Sequence, residues 1–309
     1  MTASTVSVII CCFTFDRLQD LRAAVNSVLN QTITPDQIIV SVDNNPQLAR
    51  ALTRELPSSV LVVANDRVRG LSETRNVAIE AATGGILAFL DDDTIAEPNW
   101  LESIRRPFQD SNVMAVAGES IPRWERGEPP PWFPPEYDFI IGCTAHKRLT
   151  VQSDHEVRNV TGSNMAFRRE VFAELGGWKK ELGRGQTKTG GEEAELCLRL
   201  KNAIPGARIL YERSAVVHHK VTRERSTFKY VFSYAFNEGV VRAQLRKHAL
   251  QFTGQPLAAE RLFVRRLICS VIPRNLKNHQ PAALAQILVI LVNTALVALG
   301  YVRGRVTYR

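Results

Sequence analysis

The sequence predicts an α/β protein, a doubly wound and mostly parallel sheet followed by a basic, membrane-associating helical region. Three observations carry that expectation. Short apolar runs alternate with stretches of helical spacing from Val6 onward, the rhythm of strand–helix–strand units. Acidic residues stand at the carboxyl ends of two of those runs, the edge at which open α/β sheets bind ligands. Charge is unevenly spread: Lys220–Arg309 holds 15 Lys/Arg against 3 Asp/Glu, in a chain with 39 against 31 overall.

The elements follow in order. Val6–Cys12 is a β-rich apolar run, and Asp20–Asn30 carries helical spacing at Leu21, Ala24, Val25, Val28 and Leu29. Gln37–Val42 is a second strand ending in the turn signal Asp43-Asn44-Asn45-Pro46. Leu48–Leu56 reads as helix and Val60–Ala64 as strand. Ser72–Ala82 is a helix with Ser72 as its expected N-cap, closed by Gly84-Gly85. Ile86–Leu90 is apolar throughout, as in a strand buried on both faces, and runs into Asp91, Asp92 and Asp93.

Beyond this the pattern changes. Pro122–Pro135 is too proline-rich for regular structure. The stretch Arg158–Trp178 reads as a strand-like lead-in, a turn at Gly162-Ser163-Asn164, and a helix from about Arg168. Gly190-Gly191 precedes a helix with Glu192, Glu193 and Glu195 in its first turn and basic residues in its last, matching the helix dipole. Arg208–Val217 is a strand expected to end at His218-His219-Lys220.

Hydrophobic content of 45% and charged content of 23% describe a folded globular chain, and 309 residues suffice for one large α/β domain or two ordinary ones. The five cysteines (Cys11, Cys12, Cys143, Cys197, Cys269) form no CxxC pair and no zinc-like spacing, which reads as reduced thiols of a cytosolic environment. The first strand begins too close to Met1 to leave room for a signal peptide ahead of it.

The last third looks membrane-directed. Leu257–Ile272 interleaves Arg261, Arg265 and Arg266 with apolar residues, as an interfacial helix does. Ala282–Val302 carries no charged residue over about 31 Å of helix, close to the hydrocarbon thickness of a bilayer. Basic flanks at both ends (Arg274, Lys277; Arg303, Arg305, Arg309) favour membrane contact over a buried core helix and leave orientation open. The expected partner is an anionic membrane surface, not nucleic acid, because the arginines alternate with long aliphatics and no nucleic-acid module is present.

The acidic triplet sets the chemistry. Each like-charged pair about 4 Å apart costs on the order of 4 kcal/mol at an effective dielectric near 20, so water or a cation must offset it. A hard divalent ion, Mg²⁺ or Mn²⁺, suits oxygen ligands at a strand end. Alternation puts Asp91 and Asp93 on one side and Asp92 on the other. Taken alone, a solvated acidic turn explains the triplet equally well, Asp43 reads as a turn residue, and Glu192 and Glu193 read as dipole partners.

The blocks VSVIICCFTFDRLQDLRAAVNSVLNQ, VSVDNN, RGLSETRNVAIEAATGGILAFLDDDTIAEPNWLE, GSNMAFRREVFAELGGW and GGEEAELCLRL change that balance. In this order they resemble family 2 glycosyltransferases of GT-A fold, over roughly residues 5–220. A tighter likeness, in GEEAEL, HKV and the basic apolar tail, is to the membrane-associated glucosyl-dolichyl phosphate glucuronosyltransferases. The resemblance implies a 1–222 catalytic domain, with a nucleotide-sugar half (1–118) and an acceptor half (119–222), and a membrane-associated tail over 223–309. It implies that Phe13, Thr14 and Asp16 line the nucleotide base pocket and that Asp43 binds uracil or ribose. Gly70, Leu71 and Arg75 would approach the ribose and diphosphate. Asp91 and Asp93 match the DxD acids, with Asp93 the direct ligand of Mn²⁺ or Mg²⁺, His219 completing the site and Asp92 beside the donor. Gly162, Ser163, Asn164 and Trp178 would face the acceptor. Glu193 falls where the family has the Asp of a Glu-Asp pair, its general base. Glu for Asp adds a methylene, so Glu192 stays a candidate.

The implied activity is inverting, non-processive transfer from a nucleotide sugar, UDP-linked, to a lipid-linked or polysaccharide acceptor at the cytoplasmic face of a membrane. A processive polymerase would be expected to show QxxRW and several spans, and neither is in the sequence. A sugar nucleotidyltransferase would be expected to show an N-terminal Gly-rich loop with a basic residue, which IICCFTFDRLQD lacks. A non-enzymatic binding protein working through the basic tail is the remaining alternative.

Overall fold

The computed structural model describes residues 5–144, 156–183, 190–249 and 258–307. Leu257 and Arg309, invoked above for the interfacial helix and the basic flank, lie outside the described residues.

Strands β1 (Val6–Cys12), β2 (Gln37–Asp43), β3 (Val60–Asn65), β4 (Ile86–Asp91), β5 (Thr94–Ala96), β6 (Val113–Trp124), β7 (Asn164–Arg168) and β8 (Arg208–Val221) form one sheet in the order β3-β2-β1-β4-β7-β6-β8-β5. The first four pair in parallel, and β4–β7, β7–β6 and β8–β5 pair antiparallel, so the sheet is mixed, with one parallel half. Register aligns Cys11 with Asp91 and Cys12 with Val42, which brings the ends of β2 and β4 to one edge. Helices α1 (Leu18–Leu29), α2 (Pro46–Glu55), α3 (Leu71–Ala81) and α4 (Trp100–Arg105) occupy the first half; α5 (Arg169–Leu175) and α6 (Glu192–Ala203) follow. α1 buries Leu21, Ala24, Val25 and Val28, the stripe its spacing predicts, against Ile10, Val40 and Leu90 of the sheet.

Four local expectations need correction. Gly70, at φ 138°, caps α3, and Ser72 lies buried inside its first turn, because the chain must approach Asp43 in a conformation only glycine adopts freely. The strand of the Arg158–Trp178 stretch comes after the Gly162 turn, at Asn164–Arg168, which pairs along its length with β4 and through Met165–Phe167 with β6. β8 runs through His218 and His219 to Val221, with His219 opposite Thr94. β6 extends to Trp124, so the irregular proline segment starts three residues later than expected.

Contacts divide the chain into two units, residues 1–121 with 155–219, and residues 122–154 with 220–309. The second unit holds α7 (Phe228–Ala249), α8 (Ala258–Arg266), a π-helical turn over Leu267–Val271, α9 (Ile272–Asn278) and α10 (Pro281–Thr307). Its core joins Phe133, Tyr137, Ile140 and Ile141 to Val231, Leu267, Val289 and Ile290. All five cysteines are free.

Candidate active site

β4 ends at Asp91 and a tight turn carries Asp92 and Asp93 into β5, clamped by Thr94 Oγ1 donating to the Asp91 carbonyl at 2.7 Å. Pairing of β5 with β8 then sets the buried His219 ring beside the triplet. His219 Nε2 lies 3.3 Å from Asp93 Oδ1 and 4.0 Å from Asp91 Oδ2. One ligand atom from each of Asp91, Asp93 and His219 falls within 4.8 Å of the others, a spacing that fits a single cation between two hard oxygens and an imidazole.

Asp92 turns the other way. Its Oδ1 accepts from Arg17 Nη1 at 2.8 Å, and the same nitrogen lies 3.2 Å from Asp93 Oδ2. Burial pushes the Asp92 carboxyl up to about 7, against the pull of Arg17. Arg17 also covers the Phe13 ring at 5.7 Å. Sequence reasoning missed Arg17, because nothing in FTFDR distinguishes a guanidinium that folds back on an acidic turn 75 residues away from an ordinary surface arginine.

Arg75 links the triplet to the second acidic cluster. It projects from α3, is 2% exposed, and stacks on Trp178 at 5.1 Å. Its Nη1 donates to Glu192 Oε1 at 3.1 Å and Glu193 Oε1 at 3.2 Å, and its Nη2 lies 4.0 Å from Asp91 Oδ1. Gly190 (φ 82°) and Gly191 (φ 155°) take the left-handed turns that start α6 and aim both glutamates inward. The two differ in access. The Glu192 side chain is 1% exposed, held by Arg75 and by the Gly191 N–H at 2.8 Å, whereas that of Glu193 is 19% exposed. Burial first, then the Glu193 charge, push the Glu192 carboxyl up to about 7, with Arg75 opposing. Gly162 completes this cluster: a Cβ there would collide with Glu193 Oε1, and Arg75 Nη2 donates to its carbonyl at 3.4 Å.

Two guanidiniums, Arg17 and Arg75, thus face five carboxylates. The surplus of negative charge, focused where the partly accessible Asp91 and the buried Asp93 meet a histidine, suits a divalent ion.

The remaining predicted residues fall into two sets. At the same sheet edge Asp43 accepts the Gly70 N–H at 3.1 Å and Asn65 Nδ2 at 3.0 Å, fixing the turn into Leu71 and α3. Thr14 and Asp16 bond to each other, and Phe13 stands 46% exposed. Ser163, Asn164 and Trp178 are instead buried. Ser163 bonds Ser120 at 2.8 Å, and Asn164 is held by Trp100 Nε1 and the carbonyls of Glu119 and Ala215. Trp178 packs edge-on to Phe89 and Phe167, and its backbone is bonded both ways by the Asn76 amide. The side chains of Ser163, Asn164 and Trp178 are thus packed into the fold, and Gly162 lies against Glu193 and Arg75.

Comparison with known proteins agrees with this architecture. The glycosyl transferase family 2 profile matches residues 7–176. The glucosyl-dolichyl phosphate glucuronosyltransferase of Haloferax volcanii is 31% identical over 310 residues, covering 98% of this chain and 96% of its own. Among solved structures, a mannosyltransferase from Pyrobaculum calidifontis in complex with GDP-Man and Mn²⁺ superposes with a TM-score of 0.61 at 16% identity, over 99% of this chain and 87% of its own. GalNAc-T7 with UDP, GalNAc and Mn²⁺ gives 0.54 at 18% identity, over 91% and 59%. At those identities the two structures establish a shared fold, the GT-A arrangement.

Proposed function

We infer the reaction from a fixed premise: the chain belongs to glycosyl transferase family 2 and is a glycosyltransferase. The reaction we propose is transfer of a hexosyl or glucuronosyl unit from a UDP-sugar to a hydroxyl of a lipid-linked, polyprenyl-phosphate type acceptor or a polysaccharide. It proceeds with inversion and one sugar per encounter. One observation carries it: Arg75 stands between a cation-type cluster (Asp91, Asp93, His219) and a carboxylate with solvent access (Glu193). The relative named for a dolichyl phosphate substrate supports the lipid-linked reading.

In this reading Asp91, Asp93 and His219 would hold Mn²⁺ or Mg²⁺, which would supply Lewis-acid stabilisation to a departing diphosphate. Phe13, Thr14, Asp16 and Asp43 receive the base and ribose; Gly70 and Leu71 shape the turn beside them. Arg17 holds Asp92 and Asp93 in place. Glu193 accepts the proton of the acceptor hydroxyl as that oxygen forms its bond to the anomeric carbon. The carbon–oxygen bond to the diphosphate breaks on the opposite face, its electron pair staying with the phosphate oxygen, so configuration inverts in one displacement. Glu192, with both oxygens engaged, holds Arg75 and does not reach the acceptor. Residues 1–222 do this chemistry, and 223–309 keep the enzyme at the cytoplasmic face of a membrane.

A screen of radiolabelled UDP-sugars against membrane lipid extracts with Mn²⁺ or Mg²⁺ is expected to yield a labelled lipid. Glu193→Gln is expected to lower turnover by about 10²–10⁴-fold, the range a positioned general base contributes, and Asp93→Ala to abolish transfer, each with an unchanged circular dichroism spectrum. Near-wild-type turnover in folded Glu193→Gln overturns the base assignment.

A further inference from the structure

α10 is 27 residues long and apolar enough to cross a membrane, about 40 Å at 1.5 Å per residue. Length alone leaves two poses, across the bilayer or along its surface. What α10 touches separates them.

One face of α10 is tied to polar structure from end to end. Near its start, Gln286 Nε2 donates to the Pro131 carbonyl at 2.9 Å, and Gln286 Oε1 accepts from Asn275 Nδ2 at 3.2 Å. Tyr137 donates to the Ile290 carbonyl at 3.4 Å. Near its end, Arg246 donates to the Tyr301 hydroxyl at 2.6 Å. Gly300 and Gly304 lie against Phe236, Val240 and Ala243 of α7, so close that a Cβ on Gly300 would collide with the Phe236 carbonyl. From Gln286 to Tyr301 is about 22 Å of helix. α7 runs alongside in the same direction, Val231 near Val289 and Gly239 against Val297 and Tyr301, so a spanning α10 would draw Lys229 and Glu238 of α7 into hydrocarbon with it, where charged side chains are strongly disfavoured.

The opposite face is bare. Leu284, Leu288, Leu291, Leu299, Val302 and Val306 recur at three- and four-residue steps, with the exposed Ala295 midway between Leu291 and Leu299, and the six are each at least 52% exposed. The stripe runs about 33 Å along the helix, and Arg303 and Arg305 leave it about 80° to either side. Both arginines are exposed, placed to reach headgroups while the stripe enters the acyl boundary. The same unit exposes Leu262, Ile268 and Leu276 beside Arg261, Arg265, Arg274 and Lys277.

We propose that α10 does not cross the bilayer but lies in the plane of an anionic membrane surface, its Leu/Val stripe inserted and its glycine face held by α7. The basic surplus of residues 220–309 selects anionic lipid as the occupant of this face. The proposal deepens the membrane reading given under Proposed function and rests on it.

The test uses the full-length chain with vesicles of phosphatidylglycerol and phosphatidylcholine. Leu284→Cys, Leu291→Cys, Leu299→Cys and Val306→Cys, each in a Cys11→Ser, Cys269→Ser background, are spin-labelled and their depths measured by power saturation. All four labels are expected at one shallow depth, about 5–10 Å into the headgroup–acyl boundary, and in water when vesicles are omitted. Depth that is greatest at Leu291 and Leu299 and falls toward opposite leaflets at the ends overturns the proposal in favour of a spanning helix. Labels that stay in water on bound protein overturn it in favour of another surface. Labels shielded without vesicles overturn it in favour of a second copy of the chain. Failure of wild-type protein to sediment with the vesicles overturns the membrane reading and this proposal together; sedimentation with any of the wrong depth patterns overturns this proposal alone.

Discussion

Arg75 is the residue on which the site turns. Its guanidinium is almost wholly buried, a position tolerated because Glu192, Glu193, the Gly162 carbonyl and the Trp178 ring surround it with acceptors and π-density. Its geometry sets where Glu193 can sit, and Gly162 sets how near the backbone comes. Gly162→Ala would place a methyl group where Glu193 Oε1 now lies, without an unfavourable backbone angle, so the carboxylate must move. A displacement near 1 Å at a reacting group is worth about 10²-fold in rate. Steady-state kinetics of Gly162→Ala are therefore expected to show turnover reduced by about that factor with the KM for nucleotide sugar little changed, since Asp43 and Phe13 are untouched. A selective rise in that KM with normal turnover would remove Glu193 from the role of base.

At the level of elements, α7 and α10 stand out because neither carries a simple amphipathic pattern of its own. Ala235, Gly239 and Ala243 on α7 recur every four residues, as do Gly300 and Gly304 on α10, and these small positions let the two backbones approach closely. The contacts advance in step, Phe236 with Gly300 and Ala243 with Gly304, so the helices run in the same direction there. Gly300→Val would drive a branched side chain into the Phe236 carbonyl and the Gly239 Cα. Overpacking of this kind costs about 1–3 kcal/mol, and denaturant unfolding is expected to show a loss of that size. An unchanged midpoint would mean that α7 and α10 are not packed at this point. The same closeness bears on truncation: removing the chain from about Leu257 would strip α7 of its partner, so depth measurements on the intact chain are the sounder probe of α10.

For the whole molecule, the site carries a stability cost that pH exposes. The Glu192 carboxyl, ordinarily near 4.5, is pushed up to about 7 in the folded protein, chiefly by burial. Between those values the folded chain binds more protons than the unfolded chain, so unfolding free energy is highest below the lower value, falls as pH rises through the window, and levels off above it. Denaturation at about pH 5 and about pH 8 is expected to show wild type losing more stability across the interval than Glu192→Gln, which has no proton to release. Equal losses in the two proteins would show that Glu192 does not titrate there. A buried acid kept at this cost is consistent with a group retained to hold Arg75 in place.

The early strands and helices, the acidic sheet edge and the apolar segment of α10 were legible because each is a local pattern. Hydrophobic period separates strand from helix, Leu21 to Val28 mark a buried stripe, and an uncharged run of helical length marks itself. Local pattern alone did not separate Glu192 from Glu193, although the resemblance pointed to Glu193: one residue of helix rotation separates a sealed carboxylate from an accessible one, and that rotation is set by Gly190-Gly191 and by Arg75 from a distant helix. Ser163, Asn164 and Trp178 came from the family resemblance, and what local pattern does not record is that strand pairing and the aromatic cluster bury their side chains. Arg17 left no signal, since its partner is 75 residues away. The sequence by itself determined the fold class, the family and the edge at which chemistry occurs, all of which rest on local periodicity and ordered motifs. Only the tertiary structure decided which carboxylate is accessible, which guanidinium joins the two acidic clusters, and which face of α10 is bare, because each depends on contacts between segments whose spacing along the chain carries no record of them.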